Sequence, residues 1–206
     1  MPDDAIKPAI RAAMREHEIG SHSPYEISFA AKGKSGGSFG FMQGDLAAGQ
    51  PIVHQTFRQA MAAAGMPKKK VDDIEKRLSV HLTQSPLTSQ EEHDVDAALL
   101  ASSTLVDAMD ESILQTVYGQ LDTCINKAAQ ANRTIAPKAQ LYIALWLNMT
   151  GPPTRILTWL SGSTLPSIVG EYDIQGYLRA QSYYIANPGN WPHMVQSVAK
   201  GAALLP

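Results

Sequence analysis

Apolar side chains at Ile6, Ala9, Ile10, Ala13 and Met14, with Ile19 just beyond, recur at three- and four-residue intervals. That spacing predicts an amphipathic helix from about Asp4 to Glu18. Gly20 reads as its stop, and Ser21 to Pro24 as a turn. Tyr25, Ile27 and Phe29 then alternate with Glu26, Ser28 and Ala30, the period of a half-buried strand. Gly33 to Gly37 reads as a hairpin loop and Ser38 to Gln43 as the returning strand. No later segment is as strongly β in pattern.

From Pro51 onward the spacing is helical. Pro51 suits a first helical position, and the helix it opens ends at Gly65. A charged helix follows from Pro67 to Leu82. Thr88 or Ser89, followed by acidic residues, marks the next start. Two helices are expected there, Glu91 to Met109 and Asp110 to Ala131. Pro137 opens another, whose Leu141, Ile143, Ala144, Leu145 and Leu147 make it apolar on most sides, and Gly151-Pro152-Pro153 ends it. Thr154 to Leu160, Tyr172 to Ile185 and a segment after Asn190-Trp191-Pro192 complete the helical set. The pattern shows no internal repeat and no low-complexity linker. The expected fold class is therefore α+β, mostly α, with one domain over residues 1–206. Within it, a small β-lobe at about 21–50 would pack on a helical lobe of 51–206 together with helix 4–19.

Composition narrows the function classes. At 206 residues, with 44% hydrophobic and 17% charged side chains, the chain can bury a full core and does not have a disordered composition. A net charge of −2 gives no global attraction to nucleic acid or anionic membrane. Cys124 is the single cysteine, so no intrachain disulfide is possible. No apolar run reaches the roughly 20 residues of a membrane span. The N-terminal segment lacks the apolar stretch of a signal peptide. The expectation is a cytoplasmic protein, one delivered without a cleavable signal, or one whose signal has been removed.

Glu18-Ile-Gly-Ser-His-Ser-Pro-Tyr-Glu26, followed by Gly36-Gly-Ser-Phe-Gly-Phe-Met-Gln-Gly-Asp45, carries the most chemistry. A carboxylate closes a helix, and a glycine-rich ribbon follows at once. Cleaving a glycosidic bond needs a carboxylic acid that stays protonated until it meets the leaving oxygen, and partial burial raises a glutamate pKa toward that end. A second carboxylate, or a water held by polar groups, completes hydrolysis.

The order of glutamate, Gly-rich hairpin and helical body is similar to the lysozyme-like superfamily of phage-type lysozymes, chitosanases and lytic transglycosylases. Gly40-Phe41-Met42-Gln43 resembles the Gly-Leu-Met-Gln signature of lytic transglycosylases, and the Tyr25–Asp45 ribbon looks more like that of chitosanases. The resemblance covers roughly Arg11 to Leu46. It implies an endo-acting glycosidase without a cofactor, acting on a β-linked polysaccharide, with peptidoglycan ahead of chitosan-like polymers or other glucans. It implies the general-acid place for Glu18, a water-holding hydroxyl at Ser38, and the motif glutamine at Gln43. A chitosanase-like base would fall around Lys32 to Ser35, where no acid stands. Glu26 resembles in placement the aspartate of phage-type lysozymes, and Asp45 is the other candidate. If neither serves, a single-acid lytic transglycosylase mechanism becomes the better reading.

Blander readings stand beside these. Glu18 could be a solvated carboxylate, although a helix C-terminus disfavours negative charge. Asp45 could cap the following turn, and Ser38 and Gln43 could satisfy hairpin backbone. Tyr25 is a further candidate for substrate contact. So are Tyr184, Asn190 and Trp191, where aromatic rings and side-chain amides suited to sugars concentrate, against the alternative of core packing. His17 and His22 are five apart with a glycine between, which breaks the zinc-protease spacing. Cys124 reads as a buried structural thiol. The rival class is a non-catalytic carbohydrate- or protein-binding module on the same scaffold.

Overall fold

In the computed structural model, which describes residues 3–30 and 34–206, the Asp3 carboxylate accepts the Ala5 amide and starts a 3-10 turn, Asp4–Ile6. The turn runs directly into helix α1, Lys7–Glu18, which buries Ala9, Ile10, Ala13 and Met14 as the apolar spacing requires. Gly20 takes a left-handed φ of 55° and ends the helix.

Three short antiparallel strands follow: β1 (Ser28–Phe29), β2 (Gly37–Phe39) and β3 (Gly44–Asp45). They pair in the order β1-β2-β3, with Ser38 opposite both Ser28 and Asp45. Two expectations are corrected here. Tyr25 to Ile27 is turn rather than strand, because Pro24 and the exposed Glu26 precede the first ladder pair. The return from Ser38 to Gln43 is not one strand, because Gly40 at φ 80° and Gln43 at φ 50° fold it into a second tight turn. Gly33, within the expected first loop, and Lys32 lie outside the described residues.

The helices are α2 (Pro51–Ala63), α3 (Lys68–Leu78), α4 (Ser89–Ala101), α5 (Ser103–Gln130), α6 (Pro137–Thr150), α7 (Thr154–Leu160), α8 (Glu171–Arg179), α9 (Ser182–Ala186) and α10 (Asn190–Ala202). Pro51 occupies the first position of α2, and Thr88 with Glu91 forms a reciprocal capping box on α4. The break expected at Asp110 lies instead at Ser102. There the small hydroxyl run Ser102-Ser103-Thr104 ends one helix and starts the next, while Val106 and Met109 keep the apolar face of α5 unbroken. The helix expected from Tyr172 to Ile185 is two, α8 and α9, separated at Ala180–Gln181. The sequence pattern missed a parallel pair, β4 (Thr134–Ile135) with β5 (Ile168–Val169). No helix among the described residues is long and apolar enough to cross a membrane.

The chain divides into two units, one of residues 1–17 and 114–206 and the other of residues 18–113, with the division inside α5. In the second unit the sheet is not a lobe of its own. Phe39 and Leu46 share a single core with Phe57 of α2, Ile74 and Leu78 of α3, and Leu99 of α4. In the first unit α6 is buried continuously from Leu141 to Leu147. α10 meets α1 so closely there that a Cβ on Gly201 would stand 2.4 Å from the Ala9 carbonyl oxygen. The fold class is thus mostly helical with a small antiparallel sheet, as expected from the pattern.

Candidate functional site

Glu18 is the last residue of α1 and is partly buried. Beyond it the chain turns sharply, with the His22 amide donating to the Ile19 carbonyl at 2.9 Å. The loop is then tied to the sheet: the Gly40 amide donates to the Pro24 carbonyl at 2.7 Å. The backbone after Glu18 is therefore hydrogen-bonded to the first residue of the Gly40–Gln43 turn.

That turn is held from beneath by a residue that sequence reasoning did not single out. Asp110 on α5 is fully buried, and its two carboxylate oxygens accept the Phe41 amide at 2.8 Å and the Met42 amide at 3.0 Å. Such charge-assisted bonds are among the strongest that a buried carboxylate forms with backbone. Glycine is required at position 40 on two counts. Its φ is positive, and a Cβ there would lie 2.3 Å from Asp110 Oδ1. Gln43 closes the turn from the other side. Its Nε2 donates to the Gly40 carbonyl at 3.0 Å, and its Oε1 accepts the Ser28 hydroxyl at 2.6 Å. Two left-handed residues in four, held by a buried carboxylate and an amide brace, form a rigid feature of the kind that gathers at functional sites.

The other expected residues separate by role. Ser38 sits at the centre of the sheet, almost wholly buried, with its carbonyl 3.1 Å from the Ser28 hydroxyl. Asp45 is engaged in structure, since its Oδ1 accepts the Gly36 amide at 2.9 Å and the Ala47 amide at 2.8 Å, capping the 3-10 turn Leu46–Ala48. Glu26 is exposed in the turn before β1. Tyr25 donates its hydroxyl to Asp107 at 3.0 Å.

Beside Glu26 stands Asp96 of α4, a second carboxyl that the sequence did not reveal. It accepts the Ile27 amide at 2.7 Å. Burial raises its pKa, the Ile27 hydrogen bond opposes that rise, and the charges of Glu26 and then Glu92 add to it. A helical Asp that reaches back to a loop amide 69 residues earlier leaves no periodic trace, so only the fold brings it to this place. Glu18, Glu26, Asp96 and the braced turn all belong to the second unit.

Tyr184, Asn190 and Trp191 belong to the first unit and serve its packing. Tyr184 is buried, and burial pushes its phenol pKa well above the ordinary value. Trp191 stacks on Tyr142 with ring centroids 6.0 Å apart and meets Tyr184 edge-on at 5.2 Å. Asn190 donates to the Tyr183 hydroxyl at 2.7 Å. Trp146 is buried, while Trp159 is half-buried and stacked on Tyr177.

Cys124 is buried, and desolvation pushes its thiol up to about 12, as suits an inert side chain. No group of three or more potential metal ligands occurs among the described residues. His17 instead stacks on His193 at 4.7 Å, and His54 pairs with buried Glu75 at 2.6 Å. No family model, curated protein or solved structure matches this chain.

Proposed function

We propose that the protein is a glycosidase of lysozyme-like type that cleaves a β-linked polysaccharide, peptidoglycan first, with Glu18 as the proton donor to the departing oxygen. The observation that carries this reading is the union of a half-buried helix-terminal glutamate with a rigid glycine turn. The loop leaving Glu18 is bonded to Gly40, and Gly40 is backed by buried Asp110. A partly desolvated glutamate is suited to general-acid work.

Glu26 is the better second carboxylate than Asp45, because Asp45 already caps a turn while Glu26 is solvent-accessible beside Asp96. Ser38 and Gln43 support the sheet and the turn, with Gln43 acting as a brace rather than a direct contact. A second reading draws on the same facts. With Asp45 committed to backbone amides, a single-acid mechanism remains open in which the substrate's own group displaces the leaving oxygen, as in lytic transglycosylases.

The test is a panel of polymers: cell-wall turbidity together with reducing-end release from chitosan and other β-glucans, for the native chain and for E18Q. Turnover that disappears in folded E18Q supports the reading. Binding without turnover in the native chain selects a non-catalytic module instead. Anhydro-sugar ends among the products select transglycosylation over hydrolysis.

A further inference from the structure

The first unit holds a cavity of about 390 Å³ between the end of α6, the start of α7 and the start of α9. Its walls are of two kinds. Trp146, Pro152, Pro153, Ile156 and Tyr183 supply ring and aliphatic surface, and Thr150, Thr154, Arg155, Gln181 and Ser182 supply polar groups. We infer that this cavity binds a carboxylate carried on a compact apolar body, with Arg155 as the anion partner.

Three observations support that ligand chemistry. The volume falls within the range of small-molecule sites, which are mostly apolar with a few placed polar groups. Arg155 is the single charged residue of the lining, and no aspartate or glutamate faces it there. Arg155 also forms no ion pair among the described residues, in contrast to Arg58 and Arg77, each of which is bound to a glutamate. A guanidinium presents a planar fork of donors that fits a carboxylate in two-point fashion. The Thr154 and Ser182 hydroxyls are donors with no hydrogen-bond partner among the described residues, whereas the Thr150 hydroxyl is already spent on the Trp146 carbonyl at 2.8 Å. The charge and the free donors thus favour an anion, and the rings favour an apolar group attached to it.

Tyr183 is the more exposed of the two aromatic residues of the lining. It is more than a third exposed, its ring lies edge-on to Trp146 at 6.4 Å, and its hydroxyl accepts from Asn190. Free acids and the C-terminus of a peptide share the required chemistry.

The experiment is titration of the whole chain by calorimetry and by amide chemical shifts. The probes are N-acetyl-phenylalanine, its neutral amide, and an acetylated tripeptide ending in phenylalanine. The expected result is saturable binding of at least one acid, with shifts confined to residues 150–156 and 181–185. The amide and the R155Q variant should each bind about tenfold more weakly, the loss of one charge-assisted contact. Y183A should also weaken binding, through the apolar body. Preference for the tripeptide would identify a peptide terminus as the natural source, and preference for the single residue a free acid. Equal affinity for acid and amide, unchanged affinity in R155Q, or no binding up to about 10 mM would each overturn the inference. No turnover is measured, so this result is independent of the outcome for Glu18.

Discussion

Removing the Asp110 carboxylate should loosen the Gly40–Gln43 turn more than any other single change on α5. In Asp110→Ala two backbone amides, of Phe41 and Met42, lose their acceptor inside a fully buried site. A hydrogen bond to a charged group contributes about 1.5–3 kcal/mol, so two amount to about 3–6 kcal/mol. For a chain of this size each kcal/mol lowers Tm by about 2–4 °C, which puts the variant roughly 6–24 °C below the native chain. Asp110→Asn keeps one acceptor and turns an amide donor toward the other N–H, so about half that loss is expected. Gly40→Ala attacks the same contact from the other side, by placing a methyl against Asp110 Oδ1. Thermal unfolding and amide hydrogen exchange read the two levels separately. Exchange at Phe41 and Met42 should accelerate at least about tenfold in D110A, matching the loss of more than 1.4 kcal/mol locally. Loss of less than about 1 kcal/mol, with the Phe41 and Met42 amides still protected, would refute the claim that this carboxylate holds the turn.

Further expectations concern charge and access. Burial, and then the charge of His193, lower His17 from 6.5 to about 4. The unfolded chain therefore binds the extra proton first, and stability should fall as the pH drops from about 6.5 through about 4. His17→Gln should flatten that slope in urea midpoints, and an unchanged slope would exclude His17 as its source. The Arg77 guanidinium holds Glu91 down at about 2, so R77A should return the Glu91 titration toward 4.5 by NMR. Cys124 should resist thiol reagents in the native state and react fully in denaturant; fast native labelling would contradict its burial. If Glu26 is the second carboxylate, E26Q should lower turnover at least about a hundredfold while D45N mainly lowers Tm, and the reverse pattern would exchange their roles.

The helices were legible because each carries its own local signal. α1, α2 and α6 show apolar spacing closed by Gly20, Gly65 and Gly151, and Thr88 with Glu91 announces α4. The α4–α5 break was misplaced because an acid in a helical stretch reads as solvent-facing. Asp110 is instead buried by its bonds to amides 68 and 69 residues earlier. The same long reach hid Asp96, whose partner Ile27 lies in another element. The second turn was missed because Gln43 adopts a positive φ that its side chain stabilises only once Ser28 is alongside. β4 and β5 are two residues each and pair across more than thirty positions, too short to leave a period. At the candidate site, the position of Glu18 was readable from the helix end and the cap at Asp45 from the turn that follows it, whereas the bond from the Gly36 amide to Asp45 was not.

Turnover of purified cell-wall polysaccharide by E18Q, measured beside the native chain under conditions where both show the same Tm, is the most direct test. The account predicts measurable cleavage by the native protein and at least about a thousandfold less by E18Q, as expected for loss of a general acid together with its transition-state contact. Native-like cleavage by folded E18Q would contradict it.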